Sequence, residues 1–297
     1  MPKFRDNQSH SEERTFKRST PCEIIADVSS NHRGDKKRAL RIIAGAAQAG
    51  ATTVKFQLWG PGELWRGETH PDKIADQWVL PEAWLDDLRA CCVQNKVEFL
   101  VTPFSVRAVN VLGKLRVKRI KIASGDVTFD PMLEEVRKLG VPIIMSVGAA
   151  DMLEIDKALR ILRPDSMCHD VTLLHCIPEY PSTPAHANLR YILDLKEKFG
   201  LQNLCHIGLS SHLKEWPIDI VALAYGLDVI EKHIDEDGMG PEAGHSLTPH
   251  EFAQFTQAVR QAEEALDYRN FQIESENYAR LNYRRDPSDW LRPIKSE

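Results

Sequence analysis

The chain has 297 residues, 42% of them hydrophobic and 27% charged, with a net charge of −5, which suits one large α/β domain or two ordinary ones. That mild acidity argues against nucleic acid as the main partner, and no apolar run approaches the roughly 20 residues of a membrane span. The start, Met1 to Thr20, is polar and mixed in charge, so no secretory signal is expected, and six cysteines without CxxC spacing read as small buried hydrophobes of a reducing, cytoplasmic compartment.

Residues 1–20 read as a flexible tail. Cys22-Glu-Ile-Ile-Ala-Asp-Val is a strand, and a helix over 35–50 ends on Gly50. Thr53-Val-Lys-Phe-Gln-Leu is the second strand, followed by a long connection over 59–80, a length that usually carries function or folds back as a lid. A helix then begins near Pro81. Strands over 97–101, 119–122, 140–146, 171–176, 206–209 and 228–233 alternate with helices over 105–115, 130–139, 151–162, 186–199, 215–225 and 248–266. Eight strand–helix units call for a parallel sheet closed into a (β/α)8 TIM barrel, a single α/β domain over 21–267 with a C-terminal extension over 268–297. An open doubly wound sheet is the alternative, but Asn31-His-Arg-Gly lacks the GxGxxG spacing of its dinucleotide fingerprint.

Barrels of this kind place their chemistry at the C-terminal strand ends. The polar residues there are Asp27, Asn31 and His32, then Lys55 and Gln57, Thr102, Lys121 with Ser124 and Asp126, and Ser146. His175 and Tyr180 belong to the sixth strand and its loop, and Ser210, His212, Glu231 and His233 to the last two strands. His212 and His233 end neighbouring strands, which lie about 4.8 Å apart, so they either share a metal ion or are ordinary histidines. Lys55 and Lys121 are costly to bury unpaired, and meet either a carboxylate such as Glu231 or a bound anion.

The segments Ile25-Ala-Asp-Val-Ser-Ser-Asn-His-Arg-Gly-Asp, Val54-Lys-Phe-Gln, Thr102-Pro-Phe-Ser, Lys121-Ile-Ala-Ser-Gly-Asp, Leu174-His-Cys with Glu179-Tyr-Pro, Gly208-Leu-Ser-Ser-His and Ile230-Glu-Lys-His occur in this order over about residues 22–267. As an ordered set they resemble the sialic acid synthase (N-acetylneuraminate synthase) family. The resemblance implies a transferase that joins phosphoenolpyruvate to a 2-acetamido sugar aldehyde such as N-acetylmannosamine, giving a nonulosonic acid and phosphate. It implies a divalent metal, typically manganese with magnesium, cobalt or zinc as alternatives, on His212 and His233. Phosphoenolpyruvate contacts map onto Lys55, Thr102, Lys121, Ser124, Ser146 and Ser210, and amino-sugar contacts onto Gln57, Tyr180 and Glu242. Asp27, Lys55 and Glu231 are the expected catalytic residues, and a homodimer is the expected assembly.

The chain departs from the family's pattern in several places. Asp27 stands where the family usually has glutamate, and Ser211 replaces an aspartate that would supply an acid beside His212. Pro178 takes a loop position that often offers a polar side chain to the sugar. The family's C-terminal antifreeze-like domain has no expected counterpart in the stretch of about 30 residues after Leu266. Rival readings are a condensing barrel for another aldose or aldose phosphate, held by residues such as Arg66, and a degenerate barrel that binds a sugar or a partner.

Overall fold

The computed structural model describes residues 21–60, 62–64, 78–163, 171–200, 205–266 and 282–292. Its strands are short apolar runs rich in Ile, Val and Leu, as parallel strands covered on both faces require. They are β1 (Glu23–Asp27), β2 (Thr53–Leu58), β3 (Glu98–Pro103), β4 (Ile120–Ile122), β5 (Ile143–Ser146), β6 (Val171–Cys176), β7 (Cys205–Ser211) and β8 (Val229–His233). The helices that follow are α1 (Lys36–Gln48), α2 (Leu85–Gln94), α3 (Val106–Leu115), α4 (Asp130–Leu139), α5 (Met152–Leu162), α6 (Tyr191–Leu195), α7 (Pro217–Ala222) and α8 (Pro249–Leu266).

The eight strands form one parallel sheet in the order β3-β2-β1-β8-β7-β6-β5-β4. β1 pairs with β2 through Asp27 opposite Lys55 and with β8 through Asp27 opposite His233, which sets those three side chains level. β3 and β4 pack side by side to complete the ring, with no registered ladder between them among the described residues. At three residues, β4 has few backbone groups and spends them on β5. The barrel is therefore nearly closed, its last seam held by packing.

Most helix starts follow from local chemistry. Asp35, Ser105 and Asp151 cap α1, α3 and α5 with side-chain oxygens that accept from backbone amides of the first turn. The helix expected over 186–199 is broken instead. A 3-10 turn spans Pro184–His186, Asn188 adopts a left-handed φ of 40°, and α6 runs on as a π turn over Lys196–Gly200. Asn tolerates that conformation and a helix cannot pass through it, so the start is delayed. The helix expected over 215–225 is likewise shortened to α7 and a 3-10 turn, with Pro217 at its first position.

Alternation along the strands sorts side chains into two sets. Outward residues such as Ile24, Val54, Phe56, Val101, Ile122, Leu173 and Ile230 pack beneath the helices in the main core. Inward residues stack in layers. At the N-terminal end Arg119 bridges Glu23 and Glu98 at 2.5 and 2.7 Å. Above it Ile25, Leu100, Ile144, Leu174 and Val229 form a separate apolar plug. The plug closes the bore from below, so the polar layer above it is approached from the C-terminal strand ends.

A fully buried charged pair sits outside the bore. Lys232 on β8 and Asp219 on α7 are both 0% exposed, with Nζ 2.8 Å from Oδ2. Lys232 also donates to the Leu213 carbonyl at 2.5 Å, so the pair fixes the turn that follows β7. Among the described residues no helix is long and apolar enough to cross a membrane. Of the C-terminal extension, residues 282–292 are described, and Trp290 there is 68% exposed rather than packed on the barrel.

Removing one partner of a buried pair strands the other charge, at a cost of about 3–5 kcal/mol. Asp219→Ala is expected to lower unfolding free energy by that amount in urea, whereas the double change Asp219→Leu with Lys232→Met restores most of it. Equal stability of the parent and Asp219→Ala would show the pair to be without consequence.

Candidate active site

Four charges meet at the centre of the mouth. Lys55 Nζ lies 2.9 Å from Asp27 Oδ2 and 2.9 Å from Glu231 Oε1. The same Glu231 oxygen accepts from Ser210 Oγ at 2.9 Å and stands 3.8 Å from Lys121 Nζ. Lys121 donates to Ser146 Oγ at 2.6 Å, and Asp27 Oδ1 accepts from the Ser29 amide at 3.1 Å. All four charged side chains are buried. Burial works against the Lys55 ammonium, but Asp27 and Glu231 together hold its pKa above the ordinary lysine value. Lys121 has weaker support: burial, with the Lys55 charge nearby, pushes it down to about 8. Burial would raise the Glu231 carboxyl, yet the Lys121 and Lys55 charges hold it well below the usual range.

Around this cluster lies unmet hydrogen-bonding capacity. Thr102 Oγ1 and Glu231 Oε2 are buried without a hydrogen-bond partner among the described residues, an arrangement that a polar ligand would relieve. Ser124 Oγ accepts from the Gly148 amide at 3.0 Å. Gly148 is obligatory there, because a Cβ would come within 2.1 Å of the Cys176 carbonyl.

Beside the charges stands a group of histidines. His212 donates Nδ1–H to the Ile177 carbonyl at 2.8 Å and stacks on Tyr180, ring centroids 4.1 Å apart. His233 donates Nδ1–H to Glu242 Oε2 at 2.7 Å, while its Nε2 is 3.5 Å from Asp27 Oδ2. Since a carbonyl or carboxylate only accepts, each bond fixes the tautomer and leaves Nε2 available. The two rings are 5.2 Å apart. Glu242 is held in turn by Ser29 Oγ at 2.5 Å. His245 closes the group: its buried Nε2 has no hydrogen-bond partner and lies 3.9 Å from Glu242 Oε2.

His233, Glu242 and His245 each offer a ligand atom within 4.8 Å of the others. Burial, then the neighbouring His233, lowers the pKa of His212 to about 3 and that of His245 to about 4, so both rings are neutral. Against the pull of burial, Asp27 and Glu242 raise that of His233. Neutral imidazoles at His212 and His245, with Glu242 orienting His233, fit a divalent transition metal.

A model described as the NeuB family matches residues 42–270. The chain belongs to the NeuB family. N,N'-diacetyllegionaminic acid synthase of Campylobacter jejuni is 33% identical over 263 residues, spanning 82% of this chain and 77% of that protein. N-acetylneuraminate-9-phosphate synthase of Mus musculus is 31% identical over 271 residues, spanning 83% and 71%. The crystal structure of N-acetylneuraminic acid synthetase from Leptospira borgpetersenii, in complex with citrate, superposes with a TM-score of 0.80 at 30% identity and covers 90% of this chain and 94% of its own.

In this NeuB-family barrel, the residues expected at the site fall into two touching groups. Asp27, Lys55, Lys121, Ser146, Ser210 and Glu231 make the charged cluster, with Thr102, Ser124 and the half-buried Gln57 on neighbouring strand ends. His212, His233, Tyr180 and Glu242 make the histidine group. Glu242, expected as a sugar contact, has one oxygen on His233 and the other on Ser29.

Other expectations need correction. His175 faces the helix layer, where Nε2 bonds the Ala187 carbonyl at 2.8 Å and the ring meets Tyr191. Ser211 also points away from the bore and donates to Asp219 Oδ1 at 2.7 Å, so an acid from α7 stands at that side chain. Asn31 is engaged in structure rather than turned to the bore: its amide donates to the Ile234 carbonyl and to Ser246 Oγ, tying down the loop that carries Glu242 and His245. Arg66 and Cys168 lie outside the described residues. His245 was missed because a histidine in an aperiodic loop carries no spacing signal, although it follows Glu242 by three residues.

The Glu231 carboxyl gives a pH-dependent test of the cluster. Its depressed pKa means that its contribution to stability is present above the unfolded value of 4.5 and is lost as pH falls below it. Glu231→Gln should cost about 3 kcal/mol at neutral pH. The gap to the parent in urea unfolding should shrink between pH 5 and pH 3, and a constant gap would contradict the charge pairing.

Proposed function

We propose that the chain is a phosphoenolpyruvate-dependent condensing synthase, joining phosphoenolpyruvate to a 2-acetamido sugar aldehyde of the N-acetylmannosamine type to give a nonulosonic acid and phosphate. The observation that carries the reading is the pair of buried lysines, one of them poorly compensated, set beside a histidine group in the mouth of a NeuB-family barrel. The relatives named above are synthases of acids of this class, which supports the substrate class and leaves the sugar to experiment.

In the reaction, C3 of phosphoenolpyruvate attacks the aldehyde carbon and a C–C bond forms. Water adds at C2, the C–O bond to phosphate breaks, and a 2-keto acid remains. A divalent metal, manganese in the first instance, bound at the histidine group supplies Lewis acidity toward the aldehyde oxygen. Lys55 and Lys121, with Thr102, Ser124, Ser146 and Ser210, orient the phosphate and carboxylate, turning a two-substrate collision into a positioned one. Tyr180 and Gln57 line the side from which the sugar enters. Asp27, between Lys55 and His233, stabilises positive charge developing at C2 and takes the proton from the incoming water.

The direct test is to incubate the metal-loaded protein with phosphoenolpyruvate and a panel of aldehyde sugars, and to measure phosphate release. No release with any 2-acetamido sugar, but release with an aldose phosphate, would move the assignment to the other condensing class. Release with none would leave a binding barrel.

On an active substrate, Asp27→Asn is expected to lower turnover by at least 100-fold. Phosphoenolpyruvate should bind no more weakly in that variant, since Lys55 loses a competing carboxylate. Turnover at the parent rate would make Asp27 a strand-end carboxylate only. Lys121 adds a pH dependence: it must be charged to bind the anion and its pKa lies at about 8. Phosphoenolpyruvate affinity, measured by calorimetry, should therefore fall by up to about tenfold per pH unit above pH 8. Lys121→Arg should flatten that limb, because guanidinium stays charged.

A further inference from the structure

We infer that His245 is a metal-ligating residue, sharing the ion with His233, and that it biases the site toward metals that prefer nitrogen ligands. The inference rests on the reading of the histidine group as a metal site and adds to it a residue that the ordered motifs do not include.

Three observations carry it. The first is an unpartnered donor. His245 is more than nine-tenths buried, and its Nε2 has no hydrogen-bond partner among the described residues. A buried imidazole nitrogen left in that state forfeits the hydrogen bond it would make to water, and a ligand at the site would restore a partner.

The second is spacing. The His233 and His245 ring centroids are 4.6 Å apart, and those of His212 and His245 are 5.7 Å apart. Imidazoles that share an ion at about 2.1 Å place their centroids roughly 4.5–5.5 Å apart, from right-angle to tetrahedral arrangements. The ligand atoms of His233, Glu242 and His245 already fall within 4.8 Å of one another.

The third is the division of labour around Glu242. Its two oxygens are engaged by Ser29 and by His233 Nδ1, so it acts as the carboxylate that orients a ligating histidine. With Glu242 in that role, the unpartnered nitrogen of His245 is a nitrogen ligand within reach of an ion held by His233, whose Nε2 also faces Asp27 Oδ2 at 3.5 Å.

The loop that brings His245 there is built rather than loose. Arg38 holds Asp235 at 2.6 Å, Asp235 accepts from the Gly240 amide at 2.6 Å, and Asn31 bonds Ser246 at 3.0 Å. Gly240 has no room for a side chain, since a Cβ would lie 2.3 Å from Asn31 Oδ1. His245 is therefore delivered to a fixed position before any ion arrives.

An added imidazole shifts preference away from magnesium and manganese, which suit oxygen ligands, toward cobalt and zinc. The test uses tag-free, metal-stripped protein titrated with cobalt(II) alone and with manganese(II) alone, by calorimetry and by the visible spectrum of the cobalt form. His245→Ala is expected to weaken cobalt binding at least tenfold, to weaken manganese binding less, and to alter the cobalt spectrum. Manganese-loaded samples add a count by pulsed electron paramagnetic resonance, in which one coupled imidazole nitrogen should disappear in His245→Gln. The second variant guards against a folding defect in the first.

Parent-like cobalt affinity, spectrum and nitrogen count in both variants, with binding lost in His233→Ala, would overturn the inference and leave the metal reading standing. Parent-like metal binding in both variants together with weakened sugar binding would overturn it in favour of a sugar contact. If His212→Ala, His233→Ala and the His245 variants all bind cobalt as the parent does, the metal reading falls and this inference falls with it.

Discussion

The structure depends on neutralising two ammonium groups inside a barrel. Lys55 and Lys121 point into a bore plugged from below by Ile25, Leu100, Ile144, Leu174 and Val229, where an unpaired charge would be prohibitive. Asp27 and Glu231 meet that demand, and the register decides that they can. Asp27 lies opposite Lys55 on the neighbouring strand, and Ser210 lies opposite Glu231 on the other side. A slip of one residue in β1 or β8 would turn the carboxylates into the apolar layer and leave the lysines alone, so pairing in the bore and strand register specify each other.

A second tier of polar contacts holds the histidines in position. On one side the Lys232–Asp219 pair, wholly outside the bore, fixes the turn after β7 through the Leu213 carbonyl, one residue beyond His212. On the other, Arg38 gathers Asp235, Glu236 and Asp237, and Asn31 bridges Ile234 and Ser246, so the long loop after β8 returns Glu242 and His245 to His233. Buried polar networks are costly unless complete. Here the cost falls on residues that touch the loops on either side of the mouth, which is where rigidity matters for a site built from separate strands.

Much of this was legible in the sequence, and the limits are physical. Continuous apolar runs gave the strands, and period-2 alternation put Lys55 and Gln57 on the inner face with Val54 and Phe56 against the helices. The same rule, applied to Ser210 and Ser211, would have sent Ser211 outward, away from His212. The broken sixth helix was not readable, because the left-handed Asn188 is set by packing around the loop and has no spacing signature. Asp27 as a partner of Lys55 needed the cross-strand register, which the sequence does not print. His245 needed the whole return path of the loop, which only tertiary contacts define.

The charge balance also links the two halves of the site. Without ligands the charged cluster at the mouth is balanced, two lysines against two carboxylates, with Asp27 touching both Lys55 and His233. An anion that binds the lysines must compete with Asp27 and Glu231, and it leaves those carboxylates in excess unless positive charge arrives beside them. A divalent cation held by the histidine group, where His233 Nε2 lies 3.5 Å from Asp27 Oδ2, would supply that charge. On the proposed reading, anion and cation therefore assist one another's binding, by an equal factor in both directions as linkage demands. Asp27 is placed for such coupling: the Ser29 amide holds one of its oxygens while the other touches both Lys55 and His233, so on this reading it links the two halves of the site.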